Sequence, residues 1–236
     1  MKLKALLLSG FMMIGLIGQS QAFWILVFGD KLSNDRMQSG INAFITTSNI
    51  YGVSGTKPMT SWALGGFMDI RLKEKWNISV EFTVKSPSGA SEFTDDISSY
   101  LPNDTLSGGN IRLENTNFSL PIYLKYKTKY MNFAIGPEMI LAYKSSLIYT
   151  AENNNKDKIK LTRNSMDIIN KFDIGISSSI EFYLFPKKPK SSIRLGLRYY
   201  YGFLSPLKDN ASARNSVLMF KVGIPIVGKS AINTEE

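Results

Sequence analysis

From Thr60 onward, apolar and polar residues exchange places at every second position over long stretches, the repeat of a β-strand whose two faces meet different surroundings. Trp62, Leu64, Met68, Ile70 and Leu72 share one parity, and Ala63, Gly65, Asp69 and Arg71 the other. Trp76, Ile78, Val80, Phe82 and Val84 alternate without exception with Asn77, Ser79, Glu81, Thr83 and Lys85. The same grammar runs through Phe118–Tyr126, Met131–Tyr143, Phe172–Leu184, Ile193–Tyr201 and Leu218–Ile226, and a weaker first strand over Met37–Thr47 brings the expected total to eight. Connections alternate in length. Residues 73–75, 127–129 and 186–190 are tight turns, whereas 51–59, 86–110, 144–171 and 204–215 are longer and rich in Gly, Ser, Asn and Asp. Short turns on one side and long loops on the other are the asymmetry of an up-and-down barrel in the outer membrane.

Alternation alone also fits a soluble barrel, in which the apolar face would point inward. The composition of the polar face separates the two. Gly65, Gly136, Gly175, Gly196 and Gly223 would weaken a strand surface that merely met water, but inside a narrow barrel they make room for long charged neighbours. The apolar face in turn carries Trp62, Trp76, Tyr126, Tyr143, Phe172, Tyr199 and Tyr201 near strand ends, where rings with one wet edge form interfacial girdles. The expected fold class is therefore all-β, an eight-stranded antiparallel up-and-down transmembrane barrel over residues 37–228.

Outside the barrel the chain divides simply. Lys2 and Lys4, the apolar stretch Ala5–Ile17 and the small residues of Ser20-Gln21-Ala22 read as a signal peptide over 1–22, cleaved on export. Residues 23–36 are then a periplasmic N-terminal segment and 229–236 a polar tail. The run Phe23–Phe28 is too short to span a membrane alone. It reads either as the hydrophobic core of the signal running on or as a short anchor against the periplasmic leaflet.

Composition removes most catalytic chemistry. Among 236 residues there is no Cys and no His, which excludes disulfides, thiolate zinc sites, thiol catalysis, Ser-His-Asp triads and HExxH metal sites. Only carboxylate, hydroxyl and Lys chemistry survives. No catalytic residue, metal site or cofactor is expected. The net charge of +9 suggests nucleic-acid binding in isolation, but an exported barrel does not meet cytoplasmic nucleic acid.

Phe28-Gly29-Asp30-Lys31 precedes the first strand, Leu120-Pro121-Ile122-Tyr123-Leu124-Lys125-Tyr126 and Ala134-Ile135-Gly136-Pro137-Glu138 stand as a central hairpin, and Leu195–Gly202 as a penultimate strand. In these segments the chain resembles the PorT-like outer-membrane β-barrel proteins of Gram-negative bacteria with type IX secretion. The resemblance implies an eight-stranded barrel, one branch of the family serving as a secretion accessory. One departure is the C-terminus, where Phe220 is internal and a polar tail runs on to Glu236.

The candidate chemistry is the set of charges on the inward parity: Asp69, Glu81, Glu138, Asp173 and Glu181 against Arg71, Lys85, Lys125, Arg194, Arg198 and Lys221. A selective channel lines its wall with one dominant sign, so a near-balanced set points instead to ion pairs that plug the lumen. Glu81, Glu138, Arg198 and Lys221 fall nearest mid-strand and are expected to be innermost. Glu81 and Glu138 as a paired-carboxylate hydrolase is the lowest-ranked reading. The loop 86–110 carries Glu92, Asp95, Asp96 and Asp104 and no base, with Asp104-Thr105-Leu106 resembling an O-glycosylation acceptor. The next loop is basic, with Lys156, Lys158, Lys160 and Arg163. Both read as solvated faces. Lysines of the short turns, among them Lys73, Lys75, Lys127, Lys129, Lys187, Lys188 and Lys190, are placed to meet anionic headgroups.

The expected protein is thus a monomeric outer-membrane barrel in contact with lipid and lipopolysaccharide, with a structural or accessory role in secretion or envelope assembly and a secretion or envelope protein as partner. A narrow pore or small-ligand binder is the second reading, and a lipid-modifying barrel enzyme the third.

Overall fold

The computed structural model describes residues 36–92, 110–152 and 158–226. The expected signal peptide over 1–22, Phe23–Phe28, Asp95, Asp96, Asp104, Lys156 and the expected 229–236 tail lie outside the described residues. Among the described residues nine strands follow in order: β1 (Met37–Tyr51), β2 (Met59–Arg71), β3 (Trp76–Ser91), β4 (Asn110–Lys127), β5 (Met131–Glu152), β6 (Lys158–Asn164), β7 (Phe172–Tyr183), β8 (Arg194–Gly202) and β9 (Arg214–Pro225). Each pairs antiparallel with its neighbour, β5 passes over β6 to pair with β7, and β9 returns to β1. The result is a closed eight-stranded up-and-down barrel with every ring strand paired on both sides. Closure leaves no lipid-exposed ladder edge, which the bilayer interior requires.

β6 is the addition. It stands outside the ring, paired only to the upper part of β5 from Ser146↔Asn164 to Glu152↔Lys158. The region 144–171 expected to be loop is therefore largely strand, and β1, β3 and β4 likewise run past their expected long-loop ends, to Tyr51, to Ser91 and from Asn110.

Two β-bulges explain the difference in β3 and β5. In β3, Leu64 pairs with Lys85 but Gly65 pairs with Thr83, so Val84 is an extra residue. In β5, Thr116 pairs with Lys144 but Asn117 with Ala142, so Tyr143 is extra. An inserted residue reverses which face each later side chain takes. Below the bulges Thr83 and Ala142 point inward; above them Ser86, Ser88, Ser145, Leu147 and Tyr149 do. The two bulge residues also meet, because the Tyr143 hydroxyl donates to the Val84 carbonyl at 3.0 Å and so satisfies an acceptor that the ladder has released.

The apolar parity faces out. Trp62 is 51%, Ile135 55% and Leu218 48% exposed, values that only a lipid-facing wall makes stable for such side chains. Trp76 packs edge-on against Tyr126 with ring centroids 4.9 Å apart at the short-turn end, while Trp62, Tyr143, Phe172 and Tyr201 stand toward the long-loop end, with Tyr199 one step inside them. A nitroxide or brominated-lipid quencher should therefore reach reporters at Leu64 and Ile135 and leave reporters at Glu81 and Ala134 untouched. Lys85, just past the bulge, should report as an outward, interfacial position. Quenching of the Glu81 and Ala134 reporters with protection of the others would reverse the orientation of the wall.

Candidate functional site: a sealed, charged lumen

An eight-stranded barrel is just wide enough for its own side chains to fill it, and here they do so in layers. The layer nearer the short turns is ionic. Asp69 of β2 accepts from Lys125 Nζ at 3.1 Å and from Arg194 Nη1 at 2.8 Å. Glu181 of β7 accepts from Lys221 Nζ at 2.6 Å and Lys125 Nζ at 3.4 Å. Glu81 of β3 accepts from Lys221 Nζ at 2.5 Å and lies 3.9 Å from Arg198 Nη1. Arg198 Nη2 is paired with Glu138 of β5. Four carboxylates thus meet four cations drawn from seven elements of barrel wall, and all eight side chains are at most 1% exposed.

Burial of charge is expensive unless each partner is paired and further hydrogen-bonded. Neutral groups supply part of the shell, though none among the described residues donates to Glu138. Asn42 Nδ2 donates to Glu81 at 3.4 Å and Asn132 Nδ2 to Glu181 at 3.1 Å. The Tyr183 hydroxyl donates to Asn132 Oδ1 at 2.9 Å, and Arg198 Nε donates to Ser177 Oγ, which also lies 2.7 Å from the Tyr123 hydroxyl. Phe67 stands among the cations, its centroid 4.5 Å from the Arg194 guanidinium carbon and 5.9 Å from both Lys125 Nζ and Lys221 Nζ, so its π-face offers them a weak second electrostatic contact.

Above the ions lies an apolar layer of Phe44, Ala63, Ile140, Tyr200, Val217 and Met219. A third, beyond the bulges, gathers Ile50, Leu113, Leu147, Tyr149, Ile169 and Leu207 with their neighbours into a core between the strand extensions and the long-loop segments.

The inward charges expected from alternation divide in three. Asp69, Glu81, Lys125, Glu138, Glu181, Arg194, Arg198 and Lys221 form the ionic layer. Asp173 is buried but apart from it, near the opposite end of β7, where Asn215 Nδ2 at 2.9 Å and the Leu204 amide at 3.1 Å hold its carboxylate. Lys85 and Arg71 do not belong to the layer. The β3 bulge turns Lys85 outward, where its Nζ lies 4.2 Å from the Trp62 ring centroid, and Arg71, the last residue of β2, is exposed at the barrel mouth. With Glu81 and Glu138 both enclosed against Arg198, neither is presented to a substrate.

Alternation did not single out Phe67 or Phe44, although both stand in phase with the polar residues. A clue to Phe67 is the glycine facing it: a methyl added at Gly40 would run into the Phe67 ring. Lys127, expected among headgroup-facing turn lysines, is folded inward, its side chain only 22% exposed and 3.6 Å from Asp69. Glu92 is paired with Lys57, and the expected basic loop is in fact strand: Lys158, Lys160 and Arg163 belong to β6, and Arg163 donates to Asp167 at 3.1 Å.

The family description "outer membrane protein beta-barrel domain" matches residues 19–207. Solved structures similar to this chain include Ail, the attachment invasion locus protein of Yersinia pestis (11% identity over 81% of this chain and 99% of that chain, TM-score 0.42). Neisserial surface protein A (10%, 80% and 96%, TM-score 0.38) and OprG from Pseudomonas aeruginosa (12%, 81% and 95%, TM-score 0.36) are also among them. No curated protein matches the sequence. The family match spans most of the chain and agrees with the closed ring and its apolar exterior: the chain belongs to the outer membrane protein beta-barrel domain family, and the outer membrane is where it resides.

Proposed function

We propose that this protein works through its surfaces as a structural or accessory component of the cell envelope, with no transport through its lumen. The observation that carries the reading is the layered seal. An ionic layer of matched charges, an apolar layer and a further apolar core succeed one another along the axis. A hydrated ion would have to break buried pairs and then cross a dry segment. The strand extensions beyond the bulges add support, because they present an ordered, folded platform on the long-loop side, which in such barrels is extracellular. The resemblance of Leu120–Glu138 and Leu195–Gly202 to PorT-like barrels favours secretion as the process served.

Purified protein in planar bilayers should show no steady conductance at moderate voltage. Stable, uniform single-channel steps would replace this reading with that of a narrow pore. Crosslinking in intact envelopes from reporters at the exposed Lys144 and Lys160 should then capture a secretion or envelope-assembly component. A barrel that captures none and does not conduct would be a solitary structural protein.

A further inference from the structure

The short-turn end is not sealed flush. A cavity of about 420 Å³ opens there, and the charged residues on its wall are Arg71, Lys75, Lys127, Lys129 and Lys190 against Glu74 alone. Its neutral polar lining includes Gln38, Asn77 and Tyr183. Gln38 ties the cavity to the ionic layer: its Oε1 accepts from Arg194 Nη2 at 2.6 Å, and its Nε2 donates to the Lys190 carbonyl.

Charge matching gives the cavity its chemistry. The four carboxylates of the ionic layer are already matched by Lys125, Arg194, Arg198 and Lys221, so Lys127 is a fifth cation beside it. The carboxylate beside it, Asp69 at 3.6 Å, is closer to both Arg194 and Lys125. A surplus cation against a low-dielectric wall favours a counter-charge, and Lys127 is the member of the cluster that borders the cavity. Concave walls of one sign focus the field on a ligand of the other. Lysine and arginine donors are suited to oxygen anions, to which they make charge-assisted hydrogen bonds.

We propose that this mouth is a binding site for a small, multiply charged oxyanion taken from the periplasm, a phosphate-bearing or polycarboxylate group held by Lys127 at the floor and by Arg71 and Lys129 at the rim. The site lies inside the barrel mouth, so its ligand arrives from the aqueous side and not from the surrounding leaflet. The proposal is independent of what the long-loop platform meets.

Isothermal titration of the full-length protein in a non-ionic maltoside detergent tests it, with inorganic phosphate and citrate as separate probes at constant ionic strength set by KCl. The expected result is saturable binding of at least one probe. The stronger of the two identifies the ligand as phosphate-bearing or polycarboxylate. Arg71→Gln with Lys129→Gln, both on the rim and outside the ionic layer, should weaken binding by about tenfold or more while the unfolding temperature stays unchanged. Lys127→Met should weaken it further. Failure of both probes to saturate the wild-type protein, or equal affinity in the wild-type and rim-substituted proteins, would overturn the proposal.

Discussion

Arg198→Met is expected to produce one of the largest losses of stability of any single substitution in the barrel. Arg198 is fully buried and is the cation paired with Glu138 among the described residues. Removing it leaves a carboxylate in the lumen with no counter-charge, a change of about 3–5 kcal/mol in buried pairs of this kind. The measurement is the temperature at which the folded, fast-migrating form is lost in detergent, and the expected result is a clear drop. Adding Glu138→Gln should restore part of the loss, since a neutral amide needs no cation. Glu81→Gln in the same background should not rescue, because Glu81 is held chiefly by Lys221 at 2.5 Å and its removal would leave that lysine short of a partner. Equal rescue by the two would mean that the four acids share their cations diffusely. A stable Arg198→Met protein would mean that the lumen is wet enough to solvate a lone carboxylate.

Phe67→Ala should come close behind. The ring is 1% exposed, fills the space left by Gly40 and Gly223, and stands among three of the four cations of the ionic layer. Loss of a buried Phe side chain costs about 3–5 kcal/mol through lost transfer energy and the cavity left behind. Here the cavity would border Lys125, Arg194 and Lys221, so water is the expected occupant. Even so, conductance should remain absent, because the Phe44–Met219 layer above is untouched. A low unfolding temperature with a closed lumen would distinguish packing within the plug from the seal itself. Steady channel steps in Phe67→Ala would show that the ionic layer alone closes the barrel.

How much of this was legible in the chain depends on how local each signal is. Trp76–Val84 against Asn77–Thr83 announces a strand with a lipid face because each position answers only to its own side of one wall. The eight-stranded ring follows from such segments and from turns as short as 73–75 and 127–129. The upper halves of β3 and β5 were illegible for a definite reason. Val84 and Tyr143 each insert one residue, the alternation changes phase there, and a reading that depends on phase takes the continuation for loop. Lys85 was misplaced by the same slip. β6 escaped because Lys158, Lys160 and Arg163 give its seven residues the charge of a solvated loop, and the alternation from Lys158 to Thr162 is too short to stand out.

The wall can be read from the chain alone up to the bulges: the apolar face of each ring strand, the aromatics near strand ends, the near balance of the inward charges, and the exclusion of thiol and imidazole chemistry. The interior comes from the closed ring. Lys221 on β9 meets Glu81 on β3 across 140 residues of chain, Arg194 on β8 meets Asp69 on β2 across 125, and no spacing along the chain encodes either meeting. Those pairings are set by the stagger of strands as the sheet closes, which brings residues from opposite walls to one height within a lumen too narrow to keep them apart. The surplus of Lys127 is likewise visible only after the other four cations have found their acids. A strand's faces are a property of its own sequence, but the partner of a buried charge is a property of the closed ring.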